Sequence, residues 1–197
     1  VFSGFNQPND ISMDSRYDAI CGITEEELYR VFGEAIVEMA NKFDYTVNEM
    51  KSLLKKQYDG YHFSNALLDV YNPFSVINAF NKMDIDNYWY KSGTPTYLVK
   101  LLEGHHVNMQ KLTSRPYESQ YFVDYRADAE NPLAMLYQSG YLTIKGYDRR
   151  YREYTLDYPN VEVRKGFVAL MANSYLKKDE SEAAYWIVNL DRMLRCG

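Results

Sequence analysis

The chain has 197 residues, of which 46% are hydrophobic and 25% are charged, and its formal net charge is −5. This length fits one domain or two small ones, and the apolar content is sufficient for a buried core. The acidic balance is not typical of a dedicated nucleic-acid-binding module, which carries a basic stripe. The 20 tyrosines indicate either extensive interfaces or a core that uses tyrosine where others use leucine or phenylalanine.

The two cysteines, Cys21 and Cys196, lie far apart, and neither belongs to a cluster with metal-ligand spacing. Free thiols favour a reducing, cytoplasmic compartment. No apolar run approaches the roughly 20 residues that span a bilayer, and no signal peptide is recognisable. Because the chain begins without an initiator methionine and ends directly after a helical pattern, we expect it to be a fragment of a longer protein.

Two capping boxes predict the first helices. Thr24 is followed three residues later by Glu27, and apolar residues then recur with helical spacing, which predicts a helix over 25–42. Thr46 and Glu49 repeat the pattern, and the second helix should stop before Asp59.

Proline at the first helical position predicts three further helices, because its missing N–H costs nothing there. They are expected at 73–83, 95–103 and 132–139, with C-terminal caps at Gly104 and Gly140. Two late helices are expected near 161–177 and 182–195.

One β-hairpin is predicted, with strands at 141–145 and 152–156 and a turn at 146–150. The segment 120–124 is expected to add a short third strand. Because a helix runs directly into this hairpin, the fold is predicted to be mainly α with a winged-helix-like portion.

No P-loop or metal-ligand cluster is present in the sequence, so we expect neither ATP hydrolysis nor nucleic-acid cleavage by the chain itself. His62, in an aromatic cluster beside Asp59, is interpreted as a hydrogen-bonding core residue, with a proton-shuttling role as the alternative. His105 and His106 are expected in a solvated loop. The basic group Arg149, Arg150 and Arg152 on the hairpin is a candidate nucleic-acid contact, although a protein-packing role is the more common use of such a module.

Several short sequence motifs occur in a recognisable order along the chain. They are Phe2-Ser3-Gly4-Phe5-Asn6, Asp10-Ile11-Ser12, Cys21-Gly22-Ile23-Thr24-Glu25-Glu26-Glu27-Leu28, Tyr58-Asp59-Gly60-Tyr61-His62-Phe63, Tyr71-Asn72-Pro73-Phe74-Ser75, Tyr88-Trp89, Ser92-Gly93-Thr94-Pro95-Thr96, Leu136-Tyr137-Gln138-Ser139-Gly140-Tyr141-Leu142-Thr143 and Pro159-Asn160-x-Glu162-Val163-Arg164. Together they resemble the bacterial (Bacteroidetes-type) AAA-ATPase-like family, whose members join a P-loop ATPase domain to a C-terminal PD-(D/E)XK nuclease-like domain. The resemblance extends from Val1 to about Leu176.

The resemblance implies that the chain corresponds to the C-terminal part of the ATPase-like region, between the ATP-binding core and the nuclease-like domain. ATP and Mg²⁺ would then be cofactors of the full-length parent, with no cofactor in this fragment. The resemblance implies a helical lid-like portion at 1–90, a winged-helix-like portion at 91–160 and a helical linker at 161–197. The lid would sense nucleotide through a basic side chain, for which the candidates are Arg164, Lys91 and Arg16. An ion pair of Arg164 with a carboxylate such as Glu162 is the structural alternative.

The Tyr58–Phe63 motif is predicted to be a structural joint, which packs the end of the second helix against the helix start at Asn72 and Pro73. Asp59 and Gly60 should end the second helix, with Gly60 at a positive φ. Two alternatives to the nucleotide-sensing function stay open, namely a protein-interaction scaffold, including a homo-oligomer, and a DNA-binding winged helix. No membrane contact is expected.

Overall fold

The computed structural model describes residues 10–91, 98, 101–102, 104, 109–123 and 132–176, and these residues are mainly helical with a two-stranded antiparallel sheet. Leu98, Leu101, Leu102 and Gly104 are helical, while the rest of the expected helix 95–103 lies outside the described residues. The expected helix 182–195 also lies outside the described residues, as do His105, His106 and Cys196 and the motifs Ser92–Thr96 and Phe2–Asn6.

The first two helices, α1 (Glu25–Lys42) and α2 (Val47–Tyr58), confirm the sequence prediction. Both capping boxes form, with the side chains of Thr24 and Thr46 each accepting a hydrogen bond from the backbone N–H three residues on. Since these caps satisfy N–H groups that a helix start leaves unpaired, they hold the helix beginnings in place.

The next two helices are α3 (Pro73–Lys82) and α4 (Tyr88–Lys91). The Asn72 side chain caps α3 by accepting a hydrogen bond from the Ser75 backbone N–H at 3.3 Å. Helices α1 to α4 enclose the first apolar cluster, whose fully buried members include Leu28, Ile36, Met39, Met50, Leu54, Tyr58, Tyr71, Val76 and Ala79.

The remaining elements are α5 (Met109–Thr113), α6 (Pro132–Gln138), β1 (Thr143–Asp148), β2 (Glu153–Asp157) and α7 (Val161–Leu176). Gly140 ends α6 as predicted, with φ +77°, and the Tyr141 N–H donates to the Leu136 carbonyl at 2.9 Å. This geometry is the usual glycine-based helix stop. These elements, together with Leu98 and the segments that contain Phe122 and Leu142, build the second apolar cluster. It also includes Leu136, Ile144, Leu156, Val163 and Phe167.

The hairpin is confirmed, but its position along the chain is corrected. The turn occupies 149–152 instead of 146–150, because β1 continues through Gly146 after an irregularity in register between Ile144 and Gly146. The expected third strand at 120–124 is wrong as far as residues 120–123 are described. Residues Ser119–Tyr121 form a 3₁₀ helix, and a single bridge pairs Tyr117 with Tyr154.

Helix α7 joins the two apolar clusters, since it packs against both α2 and α4 while Val163, Phe167 and Leu170 point into the second cluster. The division expected at residues 90 and 160 stays a prediction. In the part of the chain that the structure describes, none of the helices combines the length and the apolar character that crossing a membrane requires.

Candidate functional site

The Tyr58–Phe63 segment lies where the two clusters meet. Helix α2 ends at Tyr58, and Gly60 has φ +93°, as predicted. A Cβ atom at Gly60 would lie 2.5 Å from the Pro159 carbonyl oxygen. The Lys145 ammonium donates to the Gly60 carbonyl at 2.5 Å and to the Pro159 carbonyl at 3.1 Å. The glycine is therefore required both by backbone conformation and by the close approach of the loop before α7.

Tyr58 connects the end of α2 to the following helices. Its hydroxyl donates to the Asp86 carbonyl at 2.8 Å and accepts from the Asp86 N–H at 3.0 Å. Its own carbonyl accepts from the Asn72 N–H at 3.0 Å, directly before α3. These contacts agree with the predicted joint, since one residue fixes the relative position of three elements.

His62 fastens the same segment to β1. The His62 N–H donates to the Thr143 hydroxyl at 2.8 Å, and that hydroxyl donates to the His62 carbonyl at 2.9 Å. The ring nitrogens lie 2.6 Å from the Ile144 carbonyl oxygen (Nδ1) and 2.6 Å from an Asp69 carboxylate oxygen (Nε2). Both ring nitrogens are thus occupied by these two oxygen atoms, one on β1 and one on the loop before α3. This arrangement favours the structural interpretation of His62 over proton shuttling.

A group of charged side chains surrounds the joint. The Lys55 ammonium lies 3.3 Å from Glu25, 3.7 Å from Asp59 and 3.7 Å from Asp69. Asp59 is only 2% exposed, and neither of its carboxylate oxygens accepts a well-formed hydrogen bond from the residues that the structure describes. Burial raises the pKa of Asp59 to about 6, because removal from water disfavours the charged carboxylate.

Glu162 is fully buried in the first turn of α7 and links two other helices. Its carboxylate accepts from the Ser75 hydroxyl at 2.7 Å and from the Trp89 backbone N–H at 2.8 Å. Burial raises the pKa of Glu162, and the two hydrogen bonds partly oppose that rise. The carboxylate thus accepts hydrogen bonds from donors at the starts of α3 and α4. Its negative charge is favoured there, because the N-terminal end of a helix carries a partial positive charge.

A cavity of about 520 Å³ lies beside the joint. It is bounded by the loop 11–21, the Tyr61–Phe63 segment, the end of α6 and Trp89. Its volume is in the range of small-molecule pockets, which are mostly apolar with a few polar groups. Among its described lining residues, the aromatic ones are Tyr17, Tyr61, Phe63, Tyr71, Trp89 and Tyr137, and the charged or ionisable ones include Asp14, Asp18 and His62.

The three basic residues expected to sense nucleotide lie on three different elements, with Arg16 in the 3₁₀ turn Ser15–Tyr17, Lys91 in α4 and Arg164 in α7. Arg164 is exposed on α7 and makes no ion pair with any described carboxylate, so the alternative pairing with Glu162 is wrong. Arg16 is paired with the neighbouring Asp14 carboxylate, with Nε 3.0 Å from both oxygens. Lys91 is the last residue of α4, and its side chain lies outside the described part.

The hairpin arginines lie together in the exposed turn 149–152. Arg152 adopts φ +56°, and the Arg150 guanidinium lies 5.3 Å from the centre of the Tyr151 ring. Asp148 holds the turn by accepting from the Arg150 N–H at 2.8 Å. The three side chains therefore form a local positive surface on an acidic chain.

Within the described ranges, no group of three or more histidine, cysteine, aspartate or glutamate residues is arranged to hold a metal ion. Several described residues of the site were not predicted from the sequence, among them Asp18, Lys55, Asp69 and Lys145, and the buried bridging role of Glu162 was not predicted either. A sequence signal exists for the position of Glu162, because a carboxylate shortly after Pro159-Asn160 lies at a predicted helix start. Lys145 had none, since a lysine in a strand is ordinarily exposed.

No protein-family model and no solved structure matches the chain. A protein of Azotobacter chroococcum mcd 1, described as "Uncharacterized protein in vnfD 5'region", is 31% identical to it over 183 residues. The alignment covers 92% of this chain and 33% of that protein. The chain therefore spans about one third of the length of this relative.

Proposed function

We propose that this chain is the lid-like and winged-helix-like part of an ATP-binding protein of the AAA-ATPase-like type. In this proposal it responds to ATP and Mg²⁺ held by another part of the same protein and passes that state to a nuclease-like domain. The short sequence motifs and their order along the chain support the proposal. So does the mainly helical architecture with one hairpin, which agrees with the resemblance at the level of fold class.

The observation that carries the proposal is the position of Arg164. Its guanidinium is exposed and pairs with no described carboxylate, although the chain is acidic. A cation in the first turn of a helix opposes the helix dipole, so this position is unfavourable unless an anion lies nearby. A phosphate group is a suitable partner, because guanidinium–phosphate contacts are charge-assisted and bidentate.

Glu162 would transmit a displacement caused by phosphate binding at Arg164 to other helices of the chain. It lies two residues before Arg164 and is bonded to Ser75 on α3 and to the Trp89 N–H on α4. A displacement of the start of α7 therefore moves acceptors that α3 and α4 require. Because Glu162 and Ser75 are fully buried and the Trp89 N–H binds the same carboxylate, we expect the three helices to move as one unit.

The test is Arg164→Ala in the full-length protein that contains this chain, with ATP affinity and melting temperature measured together. We expect ATP affinity to fall roughly tenfold or more, because a charge-assisted hydrogen bond contributes about 1.5–3 kcal/mol. Without ATP the melting temperature should not fall, since the Arg164 side chain is exposed and unpaired among the described residues and its charge opposes the helix dipole.

Arg149→Ala is the matched control, because it removes the same charge from another exposed site. It should leave ATP affinity unchanged. Equal ATP affinity in wild type and Arg164→Ala would refute the sensing role of Arg164. A loss of stability with normal affinity would assign Arg164 a structural role instead.

A second candidate function is contact with nucleic acid through the hairpin, favoured by the clustering of Arg149, Arg150 and Arg152 in one exposed turn. Such contacts release counterions, so affinity should fall steeply with salt concentration. Replacing all three arginines by alanine in the full-length protein should then weaken DNA binding and flatten its salt dependence. An unchanged salt slope would exclude the hairpin as the contact surface.

A further inference from the structure

The charge balance of the cavity beside the joint is unusual. Among its described lining residues there are two carboxylates, Asp14 and Asp18, and neither lysine nor arginine. Asp14 is already compensated by Arg16. Asp18 is 2% exposed and makes no ion pair with any described cation. One negative charge in the cavity wall is therefore left without a counter-charge in the described part.

The hydrogen bonding of Asp18 is also incomplete. Its Oδ2 accepts from the Ser64 hydroxyl at 2.6 Å, but its buried Oδ1 has no hydrogen-bond partner within the described part of the chain. A buried carboxylate without full compensation destabilises the fold. A positively charged group in the adjacent cavity would offset this cost, whereas an anion would increase it.

Aromatic rings form the other walls of the cavity, and their orientations are fixed by packing. Trp89 stands edge-to-face against Tyr141 with ring centres 4.8 Å apart, and Tyr137 stands likewise against Phe122 at 4.7 Å. Burial raises the pKa of Tyr137 to about 12, with contributions from Tyr154 and from the Asp18 charge. The phenol is thus neutral at physiological pH, and fixed aromatic rings attract both apolar groups and cations.

We propose that this cavity binds a small organic cation, an ammonium or guanidinium group carried on an apolar or aromatic body. Asp18 supplies the counter-charge, and Trp89, Tyr61 and Tyr137 contact the body of the ligand. The site is separate from the nucleotide response proposed above, because a negatively charged wall repels phosphate. The same chemistry occurs in a free amine and in a lysine or arginine side chain of a polypeptide.

The experiment titrates the full-length protein with 2-phenylethylamine, with 2-phenylethanol as its neutral counterpart and with the capped tripeptide Gly-Arg-Gly. Binding is measured by calorimetry. A shift of the Trp89 indole N–H resonance on addition of the ligand shows that binding takes place in this cavity. We expect the amine to bind roughly tenfold or more tightly than the alcohol, because a desolvated charge contact contributes about 1.4 kcal/mol or more. Selective binding of the amine identifies a free cation as the ligand, and selective binding of the tripeptide identifies a side chain.

Two variants localise the effect. Asp18→Asn keeps the shape of the side chain and should abolish the preference for the amine or the tripeptide. Glu38→Gln removes one charge from an exposed position of α1 and should preserve it. If Asp18→Asn does not fold, the wild-type protein still decides the question, because only charged-ligand binding should weaken with added salt. Equal affinity for amine and alcohol, or binding of neither the amine nor the tripeptide, would overturn the proposal.

Discussion

The carboxylate of Glu162 and the hydroxyl of Ser75 are both fully buried and lie 2.7 Å apart, although 87 residues separate them in the sequence. The hydrogen bond joins the first turn of α7 to the first turn of α3. Since the same carboxylate also accepts from the Trp89 N–H, one side chain holds three helix starts together. Helix α7 contributes Val163 and Phe167 to the second apolar cluster, so this carboxylate also ties the two clusters to each other.

Removing this carboxylate should destabilise the protein strongly. In Glu162→Ala the fully buried Ser75 hydroxyl and the partly buried Trp89 N–H lose this acceptor. Each unsatisfied donor costs about 1–3 kcal/mol, so we expect a loss of about 3–5 kcal/mol in the free energy of unfolding. Chemical denaturation of the full-length protein measures it.

Glu162→Gln should lose less, because a glutamine keeps the shape and one acceptor oxygen. Ser75→Ala should cost about 1 kcal/mol, and the double variant should lose less than the sum because the two residues share one hydrogen bond. Ser52→Ala, at an exposed position of α2, is the control and should have no effect. Strictly additive losses at Glu162 and Ser75 would contradict the proposed link.

Two glycines should respond in opposite directions to alanine. Gly60 has φ +93°, and an added Cβ would lie 2.5 Å from the Pro159 carbonyl oxygen, so Gly60→Ala should lose about 2–4 kcal/mol. Gly33 lies in α1 directly after a kink at Phe32, with nothing within 4 Å of its Cβ position and without a positive φ. Gly33→Ala should therefore gain about 0.5–1 kcal/mol, because alanine favours the helix. Melting temperatures of the two variants check this, and a tolerated alanine at Gly60 would contradict the joint.

Local patterns in the sequence predicted the helices well. Thr24, Thr46, Asn72 and Gly140 act through neighbours a few residues away, so their signals are complete within a short window. The hairpin turn was misplaced by about three residues because the irregularity in register at Gly146 is set by pairing with β2. The expected third strand is absent as far as residues 120–123 are described, because Ser119–Tyr121 form a 3₁₀ helix and the described pairing of this region with β2 is the bridge between Tyr117 and Tyr154.

The candidate site was less predictable, because its contacts join distant parts of the chain. His62 and Thr143 are 81 residues apart, and Lys145 reaches the Gly60 carbonyl across 85 residues. No local pattern indicates that Lys145 will reach such partners, and the position of Glu162 at a helix start does not indicate which donors it will bind. The cavity is likewise formed by segments that meet only after folding, so Asp18 carried no signal of its own.

The His62–Thr143 pair should be a sensitive point of the joint. Thr143→Val keeps the side-chain shape but removes the hydroxyl that serves both the N–H and the carbonyl of His62. We expect a loss of about 2 kcal/mol, because two buried backbone groups lose their partner. Hydrogen exchange should also accelerate at the His62 amide. Thr155→Val, on the exposed side of β2, is the control, and equal effects of the two substitutions would exclude a specific role for the Thr143 hydroxyl.

Asp59 should make stability depend on pH in a defined window. Its pKa in the folded protein is about 6, above the ordinary value of 3.8. Between these two values the folded state holds a proton that the unfolded state has lost. Unfolding then releases a proton, so the contribution of Asp59 to stability decreases as pH rises from about 4 to about 6, and it stays low above that range.

Asp59→Asn removes this titration and should leave a side chain that is neutral at every pH. The variant should be more stable than wild type at pH 7 by about 1–3 kcal/mol, and the difference should shrink as pH falls towards 4. Denaturation curves at several pH values measure it. Glu25→Gln is the control, because Glu25 also contacts Lys55 but is 45% exposed, and it should show no such gain. If Asp59→Asn is instead less stable at pH 7, the ion pair with Lys55 outweighs the cost of burying the Asp59 carboxylate.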